Sequence, residues 1–164
     1  MVGETSRALA GRLEVEPESW PTNPAPALAN MGDGIELTAV TFAPTSAAPG
    51  DTITVSVQWR VTAAPGHDYT TLLHLGQPGQ PPLATGDNQP INGRYPTHLW
   101  QAGELIDDSY TIVMPEGVGN GRYPLWLGLY DAQTFTRLPL SVNGVRQPDD
   151  VYQVGWVERV DSGQ

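Results

Sequence analysis

Apolar and polar side chains alternate along residues 51–61, whose sequence is DTITVSVQWRV. The apolar set falls on one face of an extended chain and consists of Ile53, Val55, Val57, Trp59 and Val61. Strict alternation over this length is typical of a β-strand with one buried and one solvated face. A Pro-Gly pair on each side, Pro49-Gly50 and Pro65-Gly66, predicts the turns that bound this strand.

The same pattern of short apolar runs between turn residues recurs along the chain and predicts about eight strands. They are expected at residues 35–42, 52–61, 69–75, 83–85, 105–114, 122–130, 137–142 and 151–160. Asn143-Gly144 is a signal for a type I′ hairpin turn. No convincing amphipathic helix is visible to connect parallel strands, so we expect an all-β fold with two antiparallel sheets packed face to face.

The predicted fold is therefore an antiparallel two-sheet β-sandwich of the immunoglobulin-like or jelly-roll type. Its core is expected to include Ile53, Val55, Val57, Trp59, Leu73, Leu75, Leu125, Leu127 and Leu129. Residues 1–30 differ from the rest, because prolines recur at positions 17, 21, 24 and 26. This stretch is predicted to be a Pro-rich tether, extended and partly disordered. Residues 31–164 are predicted to form a single β-sandwich domain.

Charge and composition exclude several classes of function. The formal net charge is −10 and all eight basic residues are arginine, which excludes Schiff-base lysines, pyridoxal-phosphate anchoring and the phosphate-loop lysine. With this acidic balance and no basic run, nucleic-acid binding is not expected. The absence of cysteine excludes disulfides, zinc-thiolate sites and cysteine nucleophiles. No apolar run approaches the ~20 residues of a membrane-spanning helix, so no transmembrane segment is predicted.

Four aromatic residues are candidates for ligand binding. Tyr95 and Trp100 lie in a long connection that also contains His98, and they would make a shelf on which a sugar ring stacks. Trp126 and Tyr130 flank a glycine on one face of a predicted strand, where they would form a flat platform for a carbohydrate. The alternative for both pairs is packing, either to hold the long connection in place or within a covered central strand.

Acidic residues gather near predicted strand ends, at Asp87, Asp107, Asp108, Asp131, Asp149 and Asp150. A calcium site in these loops is left open, although solvated turn residues are the commoner explanation, with Asp131 pairing Arg137 across a hairpin. Glu104 with Asp108 or Asp131 is a nominal carboxylate pair for a glycosidase. No nucleophile or metal motif accompanies them, and His74 is expected to be a satisfied strand histidine. The chain is therefore predicted to be no enzyme and to need no cofactor.

Several segments, taken in order, resemble a known family. They include Gly32-Asp33-Gly34, Pro49-Gly50-Asp51, residues 93–104, Gly128-Leu129-Tyr130-Asp131 and Arg137-Leu138-Pro139. They are similar to the C-terminal β-sandwich domain found after the transmembrane helices in bacterial multi-spanning membrane proteins similar to dolichyl-phosphate-mannose-type glycosyltransferases. Two positions depart from the family pattern. Gly76-Gln77 stands where an acidic residue is usual, and Phe135 replaces the turn glycine after Thr134.

The resemblance implies an extracytoplasmic, cell-surface or membrane-associated accessory domain, with no catalytic residue that carries over to this chain. We therefore expect a non-catalytic accessory or interaction module of a bacterial protein. Its partner is expected to be either another protein or a glycan. The alternative function is carbohydrate binding through the surface aromatics Tyr95, Trp100, Trp126 and Tyr130.

Overall fold

The computed structural model describes residues 26–161 and shows an all-β chain in two sheets. The strands are β1 (Ala29–Gly32), β2 (Ile35–Ala43), β3 (Ser46–Ala47), β4 (Thr52–Val61), β5 (Tyr69–Leu75), β6 (Ala84–Thr85), β7 (Leu105–Val113), β8 (Gly121–Asp131), β9 (Ser141–Val142), β10 (Val145–Arg146) and β11 (Tyr152–Arg159). Short single-turn segments occupy Pro90–Gly93, Thr97–Leu99 and Pro148–Asp150. No helix within residues 26–161 has the length and apolar character needed to cross a membrane.

The two sheets have different strand orders. One sheet has six strands in the order β10-β9-β1-β2-β4-β7, and the other has five in the order β3-β11-β8-β5-β6. The strand pairs are antiparallel except for the short parallel pair between β3 and β11. β4 lies between β2 and β7, and β8 lies between β11 and β5.

The hydrophobic core lies between the inner faces of the two sheets. The nine residues predicted for it are all buried, which confirms the prediction: Ile53, Val55, Val57, Trp59, Leu73, Leu75, Leu125, Leu127 and Leu129. Full burial of one such aliphatic side chain contributes about 1.5–3 kcal/mol. The alternation in β4 therefore fixes the register of this strand, because a slip of one residue would expose its whole apolar face.

The prediction of eight strands was wrong, since the described residues contain eleven. β4 and β5 have the predicted bounds, but β1, β3 and β10 were missed because each is only two to four residues long. The strand predicted at residues 137–142 is largely absent, and only Ser141–Val142 forms β9. Pro139, which has no N–H to donate, lies in the part that does not pair as a strand.

Two local predictions concern turns and the start of the domain. Asn143 and Gly144 both have positive φ, 51° and 79°, and they join β9 to β10, which confirms the I′-type hairpin turn. The predicted tether lies largely outside the described residues, which begin at residue 26. β1 begins at Ala29, just before the predicted boundary of the domain.

Candidate functional site

An open groove lies on the outer face of the six-stranded sheet. Its volume is about 640 Å³, and its floor is formed by β2, β4 and β7. Its wall is formed by Ile91, Asn92 and Arg94, which belong to the connection between β6 and β7. Ligand pockets typically enclose about 300–1,000 Å³, so this surface is large enough for a ligand or for a segment of a partner.

The floor of the groove combines polar side chains, set outward by the strand alternation, with the aliphatic residues Ala39, Val40 and Val57. β4 buries its apolar residues and turns Ser56 and Gln58 to the outer face. Ser56 lies opposite Thr41 of β2 and Ser109 of β7. Directly paired residues share a face of an antiparallel sheet, so these three hydroxyl groups form a row across three strands. The row presents both hydrogen-bond donors and acceptors to the groove.

Gln58 is oriented by contacts on both sides. Its Nε2 donates to Oδ1 of Asp107 at 3.1 Å, and its Oε1 accepts from Oγ1 of Thr38 at 2.8 Å. Thr38 lies at a β-bulge in β2, where the register with β4 shifts between Leu37 and Ala39. The amide of Gln58 is therefore fixed at one end of the hydroxyl row, with Asp107 beside it.

The wall of the groove has an unusual backbone. Ile91 and Asn92 both lie in the left-handed region, with φ of 52° and 54°. This region costs a non-glycine residue roughly 1–2 kcal/mol, and a β-branched residue such as Ile91 rarely occupies it. The backbone N–H of Ile91 donates to Oδ2 of Asp108 at 2.8 Å, and Nδ2 of Asn88 donates to Oδ1 of Asn92 at 3.0 Å. These bonds hold the wall in its strained conformation.

Asp108 lies beneath the wall and anchors it. Burial raises the pKa of Asp108 above its usual value, and hydrogen bonds from Tyr110 and from the backbone of Ile91 and Ser109 offset part of this effect. Tyr110 is itself buried and accepts a hydrogen bond from Oγ1 of Thr71 at 2.8 Å. Thr71 belongs to β5, so Asp108 and Tyr110 connect the groove wall to both sheets.

The first predicted aromatic pair, Tyr95 and Trp100, holds its own loop together. Trp100 is 1% exposed, so it offers no stacking surface. Its Nε1 donates to the carbonyl of Tyr95 at 2.9 Å, and the hydroxyl of Tyr95 contacts both carboxylate oxygens of Glu104 at 2.6 and 2.8 Å. Glu104 also accepts the backbone N–H of Gln101 at 2.8 Å. This arrangement fits the alternative interpretation, in which the large side chains hold the long connection in place by packing.

The second predicted pair, Trp126 and Tyr130, lies on the outer face of β8. Both are half-buried, and Nε1 of Trp126 donates to the carbonyl of Gly76 at 2.7 Å. The space expected beside them is filled, because a Cβ at Gly128 would meet the carbonyl oxygen of Asp150 at 3.0 Å. The segment before β11 therefore covers the middle of this sheet face, and Trp126 and Tyr130 do not form a continuous platform.

Asp87 organises the polar side chains beside Tyr130. Its carboxylate lies 3.3 Å from Nε2 of His74, accepts the backbone N–H of Leu73 at 2.8 Å, and accepts the hydroxyl of Tyr130 at 3.1 Å. Burial would raise the pKa of Asp87, but these hydrogen bonds outweigh it and lower the pKa below its usual value. His74 thus has a partner, as expected of a strand histidine.

Phe135 is the most exposed large apolar side chain in the described structure, at 73%. It has a φ of 62° and occupies the last position of the turn after β8. Its ring stacks on Tyr130, with the centroids 6.0 Å apart and the planes inclined by 28°. Phe135, which replaces the turn glycine of the family that the sequence resembles, therefore occupies a left-handed backbone position. Glycine would have no steric penalty there.

The acidic residues that were considered for catalysis or calcium have separate structural roles. Asp131 accepts the backbone N–H groups of Gln133 and Thr134, whereas Arg137 donates to the carbonyl of Asp149, so the predicted Asp131–Arg137 pair is wrong. Asp150 forms a two-pronged ion pair with Arg146 and accepts the N–H of Leu140. Within residues 26–161, no group of three acidic or histidine side chains is arranged to hold a metal ion.

The groove was not foreseen from the sequence. Its floor follows from the polar positions of β4, but its wall depends on a positive φ at Ile91, which no sequence pattern marks. The local signals for an irregular turn are Pro90 before Ile91 and the Asn92-Gly93 dipeptide after it, with positive φ at both Asn92 and Gly93. The candidate residues Tyr95, Trp100, Trp126 and Tyr130 all lie outside the groove lining.

Comparisons with known proteins identify no family. No family model matches the chain, and no curated protein matches it. Among solved structures, the chain is similar to one described as "AvmM Catalyzes Macrocyclization in Alchivemycin A Biosynthesis". The two share 13% sequence identity over 81% of this chain and 92% of the other, with a TM-score of 0.37. A similarity of this degree carries no argument about function.

Proposed function

We propose that this chain is a non-catalytic accessory module that binds a segment of a protein partner in the groove of the six-stranded sheet. The observation that carries the proposal is the groove itself, an open concavity of about 640 Å³ with a floor of mixed polar and aliphatic residues and an anchored wall. A conformation as unfavourable as that of Ile91 persists only where the surrounding structure enforces it, and such positions cluster at functional sites.

The lining of the groove favours a polypeptide segment over a sugar. It presents hydroxyl, amide, carboxylate and guanidinium groups beside aliphatic side chains, and none of the described residues that line it is aromatic. An extended peptide carries alternating N–H and C=O groups that match such a surface along its whole length. The lining also contains one guanidinium, of Arg94, and two carboxyl groups, of Asp107 and Asp108, and this uneven distribution of charge would fix the orientation of the bound segment.

The absence of catalysis is part of the same proposal. Glu104, nominated as a catalytic carboxylate, is held by Tyr95 and by the backbone of Gln101, and Asp131 closes a turn. Both groups thus have local structural roles that account for their presence. Hydrolysis of any glycoside or ester that is lost on Glu104→Gln or Asp131→Asn would contradict this part of the proposal.

We also propose that the fold is immunoglobulin-like rather than a jelly roll. β2, β4 and β7 take the places of strands A, B and E in one sheet, and β5, β8 and β11 take those of C, F and G in the other. Tyr123, near the start of β8, donates its hydroxyl to the carbonyl of Gly119 at 2.7 Å. A tyrosine near the start of strand F that bonds back to the preceding backbone is a hallmark of this fold.

The resemblance noted in the sequence supports an extracytoplasmic setting, as part of a membrane-associated bacterial protein. In such a setting the partner would be another domain or subunit exposed on the same side of the membrane.

Site-specific photocrosslinking in cells that produce the protein tests the proposal. A benzophenone amino acid replaces Ser56 in the groove floor, and the matched control replaces Thr52, an exposed residue on the same face of the same strand, roughly 13 Å away. We expect a protein adduct from position 56 that is stronger than that from position 52, and we expect Arg94→Ala to reduce it. Equal adducts from both positions, or none from position 56, would contradict groove binding.

A further inference from the structure

Phe135 stands in a turn that does not need it. The turn joins β8 to the following segment through two backbone bonds, from Phe135 N–H to the carbonyl of Asp131 and from Asp131 N–H to the carbonyl of Thr136, each 2.8 Å long. The same bonds form with glycine at this position, and glycine adopts a φ of 62° without steric cost. The phenyl ring is therefore not explained by the backbone of the turn.

Its surroundings make the ring one half of a fixed aromatic pair. Tyr130 is held by its hydroxyl bond to Asp87 and by its place in β8. Phe135 covers one face of Tyr130 at a centroid distance of 6.0 Å, and with 73% of its surface exposed its other face is open. We call Tyr130 and Phe135 the aromatic pair. It lies at one end of the five-stranded sheet, on the outer face.

We propose that the aromatic pair is a binding site for a pyranose ring of a glycan, which stacks on the open face of Phe135. The C–H groups on one face of a pyranose form a flat apolar patch that suits an aromatic ring, and its hydroxyl groups seek polar partners at the rim. Polar groups lie on the Tyr130 side of the pair, where the Tyr130 hydroxyl donates to Asp87 and Nε2 of His74 lies 3.3 Å from the same carboxylate.

The shape of the pair favours a sugar over a cation. Binding sites for organic cations enclose the charge between aromatic walls. Two nearly parallel rings instead offer one flat outer face. Trp156 provides a contrast on the same sheet, because the guanidinium of Arg122 already lies 4.7 Å from its ring centroid. Trp156 is 41% exposed but has a cation over its face, so it is a suitable control.

This site is independent of the proposed groove function, because it lies on the other sheet and uses none of the groove residues. Backbone amide NMR spectra recorded during titration with cellohexaose, chitohexaose or mannohexaose at millimolar concentration test it. We expect at least one of these neutral oligosaccharides to shift amide signals at residues 130–136 in a saturable manner. The same spectra report any binding at the groove separately, through residues 56, 92 and 109.

Two variants separate binding from folding. Phe135→Gly suits the turn and is expected to fold, yet it should weaken oligosaccharide binding by about tenfold, as removal of an anchoring aromatic does. Phe135→Trp restores a flat ring and is expected to retain binding, and Trp156→Ala is expected to leave the affinity within about twofold. The proposal is overturned if none of the three oligosaccharides shifts these signals, if Phe135→Gly binds as well as the native protein, or if tetramethylammonium alone binds there.

Discussion

The outer faces of the two sheets differ in what lies over them. The six-stranded sheet leaves the faces of β2, β4 and β7 open as the floor of the groove, with only residues 91–94 along one side. The five-stranded sheet is covered in its middle by the chain itself, since a Cβ at Gly128 would meet the carbonyl oxygen of Asp150 at 3.0 Å and the side chain of Val151 at 3.5 Å. The comparison shows that one outer face stays open, whereas on the other the chain covers the sheet between its large aromatics.

A partly exposed carboxylate accompanies each face, and the pKa values of the two are shifted in opposite directions. Asp87 beside the five-stranded sheet has a lowered pKa because its hydrogen bonds outweigh its desolvation. Asp108 behind the groove wall has a raised pKa because its desolvation outweighs its hydrogen bonds. The surroundings of Asp87 thus favour its charged form, whereas those of Asp108 disfavour it. The predictions below use these differences, from the largest expected effect to the smallest.

Trp100→Ala should destabilise the protein by about 3–5 kcal/mol, the usual result of truncating a buried tryptophan. Trp100 is fully packed and also holds the Tyr95 loop. Trp156→Ala is the matched control and should cost about 1 kcal/mol, since it removes an exposed ring and its contact with Arg122. Urea denaturation measures both. Equal losses for the two variants would contradict the distinction between packing and surface aromatics.

Asp87→Ala should destabilise the protein by about 1–3 kcal/mol, because it leaves the N–H of Leu73 without its acceptor and removes the partner of Tyr130. The free energy of unfolding at pH 7 is the measurement. Asp107→Ala is the control, since this exposed groove carboxylate accepts a hydrogen bond from Gln58 on the outer sheet face and its loss should change stability by about 0.5 kcal/mol or less. If Asp87→Ala were as stable as the native protein, the role of Asp87 in the covered face would be contradicted.

The pH dependence of stability should differ in sign between the two carboxylates. Asp87 has a folded pKa below its unfolded value, so its stabilisation is present above the unfolded pKa and is lost as the pH falls through the folded pKa. Asp108 has a folded pKa above its unfolded value, so stability falls as the pH rises through the folded pKa. The unfolded pKa of an aspartate is about 3.9. As the pH rises from 3 to 7, the stability of Asp108→Asn relative to the native protein should therefore increase, and that of Asp87→Asn should decrease.

Urea unfolding of the three proteins at a series of pH values measures these slopes. If the stabilities of both variants change in the same direction with pH relative to the native protein, the contrast between Asp87 and Asp108 is wrong.

Phe135→Gly should have the smallest effect on stability. Loss of the stack on Tyr130 costs about 0.5–1.5 kcal/mol, while relief of the left-handed backbone returns roughly 1–2 kcal/mol. The net change is expected to lie within about 1 kcal/mol of zero. Phe135→Ala keeps the backbone strain and loses the stack, so it should be less stable than Phe135→Gly in thermal or urea unfolding. The reverse order would show that the turn itself requires a side chain.

The sequence predicted the core and the long strands because their signal is local. Alternation in β4 and β5 was strong enough to set both ends of each strand, and all nine predicted core residues are buried. β1, β3 and β10 were not predicted, because two to four residues are too few to show an alternation of apolar and polar positions. Their pairing also depends on strands that are distant in the sequence. The packed aromatics could not be told from exposed ones, since whether Trp126 is covered depends on where a loop far along the chain folds back.

The groove was not predicted for a related reason. Its wall is set by a contact between Ile91 and Asp108, and sequence alone does not show that Asp108 lies beneath that turn. Phe135 was noticed only as a departure from a family pattern, and its left-handed backbone gives that departure a physical meaning.

Binding of a partner across the groove is the central claim, and a titration tests it directly. The protein recovered in the photocrosslinked adduct from position 56 is titrated by calorimetry against the native chain, Arg94→Ala and Thr52→Ala. Arg94→Ala removes the positive charge of the groove lining and should weaken binding by about tenfold or more, whereas Thr52→Ala, outside the lining, should bind within about twofold of the native chain. Native affinity in Arg94→Ala would contradict the account.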